Sequence, residues 1–214
     1  MKINQYSQNP NFKAIKIAQT QNCVRENITN IDIFKLTKED NSFLEKLKET
    51  SIKKLCPNLK EDIQERWQKV LNYCLEVTKR IYNTTYVAVS ENNVCGIMVI
   101  DKDYRKHVIL DGICAIPNKN GEKTNLAGQT LLYQLFKSSS KEDKGIQLDA
   151  IHNGPVDVVK KYKNLGFIIN SETANYTEMS CNKHKVREQL NNFEKQINYT
   201  PIQEEHVNLE QLIN

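Results

Sequence analysis

One stretch of the chain, Val108 to Phe167, restricts the folds available to it more than any other part. The stretch begins with an apolar run rich in Val and Ile, which predicts a buried strand because the run is too short to span a membrane. A polar loop follows, and apolar residues then recur at helical spacing from Leu126. A second strand over residues 146–151 and a second helix over residues 156–164 come next. This order predicts two parallel strands joined by a right-handed helical crossover.

The loop between the first strand and the first helix suits a phosphate group. Such a loop lies at the carboxyl end of a strand, where ligands of open α/β sheets bind. The free backbone N–H groups and the dipole of a helix N-terminus favour an anion there. Gly128 lets a ligand approach the backbone because it has no Cβ, and Lys123 adds a positive charge. We therefore predict a phosphate cradle over residues 123–128, with an ordinary loop and helix cap as the alternative.

Two motifs in this stretch are similar to those of a known family. The segment Lys123-Thr124-Asn125-Leu126-Ala127-Gly128 resembles the pyrophosphate loop, Arg/Gln-x-x-Gly-x-Gly/Ala, of the Gcn5-related N-acetyltransferases, and keeps only its last glycine. Asn153, Tyr162 and Gly166-Phe167 resemble the family's Asn…Tyr-x-x-x-Gly-Phe signature. The resemblance covers roughly residues 28–181, and the order and spacing of the motifs together make it specific.

The resemblance implies an α/β (α+β) fold, in which helices flank a mixed, mostly antiparallel twisted sheet. The predicted order of one strand, two helices, three strands and then the organising unit agrees with it. The first strand covers residues 27–36, and Thr37, with Asp40 three residues on, is the N-cap of the first helix. The second helix covers residues 59–81, and its apolar stripe includes Trp67. Residues 1–26 are expected to be a flexible leader, and residues 27–181 the acetyltransferase-like domain. Residues 182–214 are expected to be a C-terminal helical extension and tail, packed on the domain or on the partner chain of a homodimer.

The family resemblance also implies acetyl-CoA as the co-substrate. Gly112 within the first strand of the unit indicates a bulge or a close backbone approach. In the family this strand separates from the next, and the pantetheine arm enters between them. The residues expected to contact CoA are Ile113, Cys114, Ala115, Ile116, Lys123, Thr124, Asn125, Leu126, Ala127, Gly128, Gln129 and Asn153.

Three side chains are candidates for the proton transfers of such a reaction. An amine must lose a proton before it attacks a thioester, and a carboxylate with a raised pKa can accept it. Asp111 resembles, within one residue, the family's strand-borne glutamate base, and Asp149 lies where some protein-acetylating relatives carry a glutamate. Tyr162 resembles the family's acid, which protonates the departing CoA thiolate. The alternatives are a solvent-facing or capping role for the two acids and a packing role for the tyrosine.

The predicted function is acetyl transfer from acetyl-CoA to a primary amine of a small molecule or protein. The amine would attack directly within a ternary complex, and no metal is implied. A non-catalytic acyl-CoA-binding module with a protein partner is the alternative, because Lys123 and Leu126 depart from the family's loop pattern. A thiol dyad of Cys114 and His152 is conceivable, but an apolar strand raises the pKa of a thiol and opposes it.

Composition bears on partners and location. The chain has 214 residues, 39% of them hydrophobic, which is enough for one sizeable core. It has no transmembrane run and no apolar segment behind a basic start, and its six cysteines include no Cys-x-x-Cys pair. We therefore expect a cytoplasmic protein with reduced thiols that does not enter a membrane. The net charge is only +4, with signs intermixed, so no nucleic-acid partner is expected.

Overall fold

The computed structural model describes residues 14–24, 27–49, 51–116, 126–207 and 209. These residues form one nine-stranded sheet with a hydrophobic core on each face. The elements, in chain order, are β1 (Ala14–Val24), β2 (Asn27–Lys35), a short 3-10 turn (Lys38–Asp40), α1 (Asn41–Lys48), α2 (Ile52–Leu55), α3 (Glu61–Val77), β3 (Asn83–Ser90), β4 (Asn93–Asp101), β5 (His107–Ala115), α4 (Ala127–Lys141), β6 (Gly145–Ile151), α5 (Val159–Asn164), β7 (Ile168–Glu172), β8 (Tyr176–Cys181), α6 (Lys183–Glu194) and β9 (Asn198–Val207).

The sheet is mixed and mostly antiparallel, as predicted. Its strand order is β7-β8-β6-β5-β4-β3-β2-β1-β9. The central β5–β6 pair is parallel, and the other neighbouring strands pair antiparallel. The parallel pair is the unit joined by α4, so the helical crossover predicted from residues 108–151 lies within the sheet.

The two faces of the sheet are covered by different helices. The apolar stripe of α3 buries Leu71 and Cys74 in the core on one face, together with α1. The stripe of α4 buries Leu131 and Phe136 in the core on the other face, together with α6. Both stripes recur at the three- and four-residue spacing of a helix that packs on a sheet through one side.

The predicted helix after the first strand is confirmed. The Thr37 hydroxyl accepts from the backbone of its turn, and Asp40 Oδ2 accepts from the Thr37 backbone N–H at 2.7 Å. The helix predicted over residues 59–81 is confirmed as α3, which covers Glu61–Val77 and is therefore shorter at both ends. Asn83 Nδ2 donates to the Val77 carbonyl at 2.7 Å, which caps the helix and turns the chain into β3.

The prediction of a flexible leader over residues 1–26 is wrong for Ala14–Val24, which form β1. This strand pairs with β2 on one side and with β9 on the other, so neighbouring strands satisfy its backbone groups on both edges. Its buried side chains are small, Ala14, Ala18 and Thr20, and gave no strong apolar alternation. Residues 1–13, 25 and 26 lie outside the described residues.

The C-terminal extension is helical only in its first part. The α6 helix is confirmed, but residues 198–207 form β9 instead of a helical tail. Phe193 on α6 packs against Tyr133 and Phe136 of α4, with ring centroids 6.1 and 5.5 Å apart. The chain then joins β1 at the far end of the sheet. The segment after β8 therefore crosses the face of the sheet that α4 covers and shares its core.

Two observations concern the predictions drawn from composition. Cys56, Cys74, Cys95, Cys114 and Cys181 are all buried and form no disulfide with one another. None of the described helices combines the length and the apolar character that crossing a bilayer requires.

Candidate active site

The candidate site is a cleft in which β5 and β6 separate. Their parallel pairing runs from His107 and Gly145 to Leu110 and Leu148, and within the described residues it goes no further. Beyond this point β5 stays paired with β4, and β6 stays paired with β8. The facing edges of the two strands are therefore not joined, and a cavity of about 180 Å³ lies between them.

A β-bulge in β5 accompanies the separation. Gly112 pairs with Val99 and Leu110 pairs with Ile100, so Asp111 is the extra residue of the bulge. Bulges bend a strand and increase its twist, which turns the end of β5 away from β6. A Cβ added to Gly112 would lie 3.0 Å from Cys74 Sγ of α3. Gly112 thus permits a close approach of this helix, and both predicted readings, a bulge and a close approach, apply at this position.

Several predicted residues lie together in the cavity wall. The predicted site residues that line it are Asp111, Ile113, Cys114, Ala115, Gly128, Asp149 and Tyr162. Sequence reasoning missed the contribution of α3, which lines the cavity with Trp67, Val70, Tyr73 and Cys74. Their spacing was interpreted as a core stripe. Trp67 Nε1 donates to the Ala115 carbonyl at 2.7 Å, and the position of this tryptophan within the stripe was the only signal.

The start of α4 faces the same cavity. Leu126, which stands where the family has a glycine, has a left-handed backbone with φ of 66°, a conformation that glycine favours. Ala127 is buried, while Gly128 lines the cavity. A Cβ added to Gly128 would meet only the Ala115 Cβ, at an ordinary 3.6 Å. Lys123, Thr124 and Asn125 of the predicted cradle lie outside the described residues.

A groove continues from the start of α4 towards α5 and α6. Gly128 belongs to both the cavity and the groove, and the groove is also lined by Lys161 and Lys195. Gln129 Nε2 donates to Gln196 Oε1 at 3.1 Å, so this predicted CoA ligand contacts the C-terminal segment. Two lysines and the start of a helix give this end of the cleft a positive character.

Tyr162 lies on α5, in the wall of the cavity. Its side chain is 7% exposed, and its ring packs on Phe167 with centroids 5.4 Å apart. Burial raises the pKa of the phenol well above its ordinary value of 10, and the nearby Cys74 thiol raises it further. The hydroxyl makes no hydrogen bond with the residues that the structure describes. The phenol is therefore protonated at neutral pH, and the residue lines the cavity.

Asp111 is held by two neighbours. Its Oδ1 accepts from Arg80 Nη1 at 3.3 Å, and its Oδ2 accepts from Asn83 Nδ2 at 2.7 Å. The side chain is 13% exposed. Both oxygens are thus engaged, one of them with a cation, which favours the capping reading over the predicted role as a base.

Asp149 has fewer hydrogen-bond partners than Asp111, the other candidate acid. It lines the cavity, and none of the residues described here donates a hydrogen bond to its side chain. Its pKa is raised above the ordinary value, first by partial burial and then by the negative charges of Glu178 and Asp111. Of the two carboxylates, Asp149 is therefore the one with oxygens free of described donors and with a raised pKa, as proton acceptance requires.

The raised pKa of Asp149 predicts how Asp149→Asn changes stability with pH. Because the folded pKa lies above the unfolded value of about 3.9, the ionised carboxylate destabilises the fold at neutral pH. We expect the variant to be more stable than the wild type near pH 7, by less than about 1 kcal/mol because the group is mostly exposed. The gain should vanish below pH 3, where both folded and unfolded Asp149 are protonated. Urea unfolding at both pH values tests this, and a less stable variant at pH 7 would contradict it.

The remaining predicted residues do not line the cavity. Ile116 is buried behind it, and Asn153 is exposed in the turn after β6. The dyad of Cys114 with His152 is not formed, because His152 bonds Thr177 Oγ1 at 2.7 Å and the Ala174 carbonyl at 3.3 Å. Burial raises the pKa of the Cys114 thiol well above its ordinary value. Within the described residues, no three His, Cys, Asp or Glu side chains lie close enough to hold a metal ion.

Comparison with solved structures identifies the fold. The chain is similar to FdhC, described as a nucleotide-linked sugar GNAT, at 14% identity and a TM-score of 0.52, over 88% of this chain and 98% of that one. It is also similar to mutant forms of the spermidine/spermine N-acetyltransferase SpeG from Vibrio cholerae, at 13% identity and a TM-score of 0.50, over 74% and 97% of the two chains. The chain thus has the fold of the Gcn5-related N-acetyltransferases, as the motif resemblance implied. At these identities the likeness shows the fold alone.

Comparison by sequence alone identifies no family for this chain. No protein-family model matches the chain, and no curated protein matches it.

Proposed function

We propose that this protein transfers an acetyl group from acetyl-CoA to a primary amine. The observation that carries the proposal is the separation of β5 from β6 beyond Leu110 and Leu148, which opens a cavity between two neighbouring strands of one sheet. This cavity joins the start of α4 at one end and is lined by a protonated tyrosine, Tyr162, and a weakly engaged carboxylate, Asp149.

The residues present fit acetyl-CoA. The cavity is narrow and mostly apolar, which suits the pantetheine arm. The β5 edge after Leu110 has no β6 partner, so its backbone groups can bond the amides of that arm. Gly128 leaves room for the pyrophosphate at the start of α4, where backbone N–H groups favour an anion. Lys161 and Lys195 would face the nucleotide end of the ligand.

The proposed mechanism is direct attack within a ternary complex. The amine loses a proton to Asp149, directly or through water, and its nitrogen attacks the thioester carbonyl. The tetrahedral intermediate then collapses, the carbon–sulfur bond breaks, and the amide forms. Tyr162, whose phenol is protonated at neutral pH, gives its proton to the departing thiolate. No covalent enzyme intermediate is needed.

A non-catalytic acyl-CoA-binding module remains the second candidate. It is favoured by one observation, the engagement of both Asp111 oxygens with Arg80 and Asn83, which removes one of the two candidate bases. Both candidates require CoA binding in the cavity. Release of free thiol from acetyl-CoA in the presence of a panel of amines separates them, since only the enzyme produces it.

The substitution Gly128→Glu is expected to weaken CoA binding about tenfold, because it places a carboxylate beside the pyrophosphate. Gly128→Ala is the matched control. Its added Cβ would make only an ordinary contact with Ala115, so binding should change little. Calorimetry with CoA measures both. A folded Gly128→Glu variant with wild-type affinity would contradict the placement of the pyrophosphate at α4.

A further inference from the structure

One face of β6, β8 and β7, the three strands at one end of the sheet, is uncovered. Side chains alternate along β6 and β8, and those that point towards α4 and α6 are buried, among them Leu148, Ala150 and Met179. Among the described residues, the helices with extensive contacts to β6 are α4 and α6, which lie on the buried side. We call this opposite surface the acidic face, and define it by Gln147, Asp149 and Ile151 on β6 and Tyr176, Glu178 and Ser180 on β8.

Two carboxylates lie directly opposite each other on the acidic face. Asp149 and Glu178 are partners in the β6–β8 register, which places their Cβ atoms roughly 4.5–5.5 Å apart. Like charges in this position destabilise a sheet. Among the described residues, no Lys, Arg or His forms an ion pair with either carboxylate. A positive charge bound at Glu178 would offset this repulsion.

The carboxylate of Glu178 is held in place by neutral donors. Gln147 Nε2 donates to its Oε1 at 2.9 Å, and Ser171 Oγ of β7 donates to its Oε2 at 3.0 Å. Asn170 Nδ2 adds a longer bond of 3.4 Å to Oε1. These bonds fix the position of the carboxylate and leave its charge uncompensated. A cation would therefore meet a preorganised acceptor.

Apolar side chains surround the acid pair. Ile151 and Tyr176 are direct cross-strand partners and are 44% and 39% exposed. Ile168 on the neighbouring strand β7 is 66% exposed. Exposed apolar residues that cluster on one surface indicate a binding site for a macromolecule. An aliphatic polyamine would make use of the acids alone, whereas a polypeptide also supplies side chains for these apolar residues.

The acidic face leads directly to the candidate active site, because Asp149 and Ile151 also line the cavity. A chain that lies on this face can therefore present a side-chain amine to the cleft. A second copy of this protein is a poor occupant, since pairing two acidic faces would oppose like charges.

We propose that the acidic face binds the polypeptide that carries the acceptor amine, and that a positively charged residue beside this amine pairs with Glu178, which leaves Asp149 to accept the proton of the amine. This inference rests on the proposed function and names its substrate class, a protein lysine flanked by a cationic residue. Glu178 is then a specificity-determining residue that takes no part in the proton transfers.

Two synthetic peptides of equal length test the inference. Each carries one lysine, flanked on both sides by arginine in the first and by neutral citrulline in the second. Their binding to the protein saturated with CoA is measured by calorimetry. We expect wild type to prefer the arginine peptide about fivefold. Glu178→Gln should lose this preference. Glu172→Gln should keep it, because Glu172 pairs with Thr177 on the other face of the sheet.

Equal binding of the two peptides by wild type, or an unchanged preference in Glu178→Gln, would overturn the inference. So would tighter binding of spermidine than of the arginine peptide. Since binding is measured with CoA, it does not depend on turnover. Charge-selective binding without acetyl transfer from acetyl-CoA would remove the proposed function and keep the acidic face as a peptide site. Acetyl transfer without charge-selective binding would keep the proposed function and remove the acidic face as a peptide site.

Discussion

Replacing Tyr162 by phenylalanine is expected to lower turnover about a hundredfold, at the low end of the range for loss of a general acid. The low end applies because a thiolate is a fairly good leaving group. The phenol is buried and its pKa is raised by that burial, so it is protonated throughout the neutral range. Phenylalanine keeps the ring and its packing on Phe167, so the fold and CoA affinity should be unchanged.

Steady-state kinetics on a verified acceptor, beside CoA binding by calorimetry, measure this effect. Tyr133→Phe is the matched control, because Tyr133 is a buried tyrosine in the same core whose ring packs on Phe193 and which does not line the cavity. It should turn over like wild type. Wild-type turnover by Tyr162→Phe would mean that Tyr162 is a packing residue and that water or another group supplies the proton.

Replacing Phe193 by alanine is expected to lower the free energy of unfolding by about 3–5 kcal/mol, the range for deleting a buried aromatic ring. Phe193 is 4% exposed and packs on two aromatic rings of α4, those of Tyr133 and Phe136. Because α4 begins at the candidate active site, the C-terminal segment supports the helix that would bind the pyrophosphate. Loss of the Phe193 ring should therefore destabilise the whole domain.

Urea unfolding measures this change, with Tyr82→Ala as the control. Tyr82 is 64% exposed, so its truncation should alter stability by no more than about 0.5 kcal/mol. A loss below about 1 kcal/mol in Phe193→Ala would show that α6 does not share the core of the domain.

In the central part of this chain, local sequence patterns predicted the strands and helices correctly. The apolar run and the helical spacing after it predicted β5, α4 and β6 within a few residues, because each pattern reports which side of one element is buried. Thr37 followed by Asp40 predicted a helix start, because both atoms of the cap lie within one turn. The placement of Tyr162 beside Gly166-Phe167 came from the motif resemblance, and the side chain does line the cavity.

Side-chain contacts between residues distant in sequence were not predicted. Asp111 resembled a catalytic base, yet its hydrogen-bond partners Arg80 and Asn83 lie 31 and 28 residues away. Trp67 belonged to an apolar stripe, and only the packing of α3 on β5 brought its indole to the Ala115 carbonyl. The carboxylate pair of Asp149 and Glu178 depended in the same way on the register of two strands.

The sequence by itself determined the identity and order of the central strands and helices, the family they resemble and the side chains available for chemistry. These follow from periodicity, capping and motif spacing, which act over a few neighbouring residues. Only the tertiary structure decided that residues 14–24 form a strand, since β1 is held by β2 and by β9 from the other end of the chain. It also decided which acid is engaged and which faces the cleft, because burial, charge and hydrogen bonding are set by elements that meet only on folding.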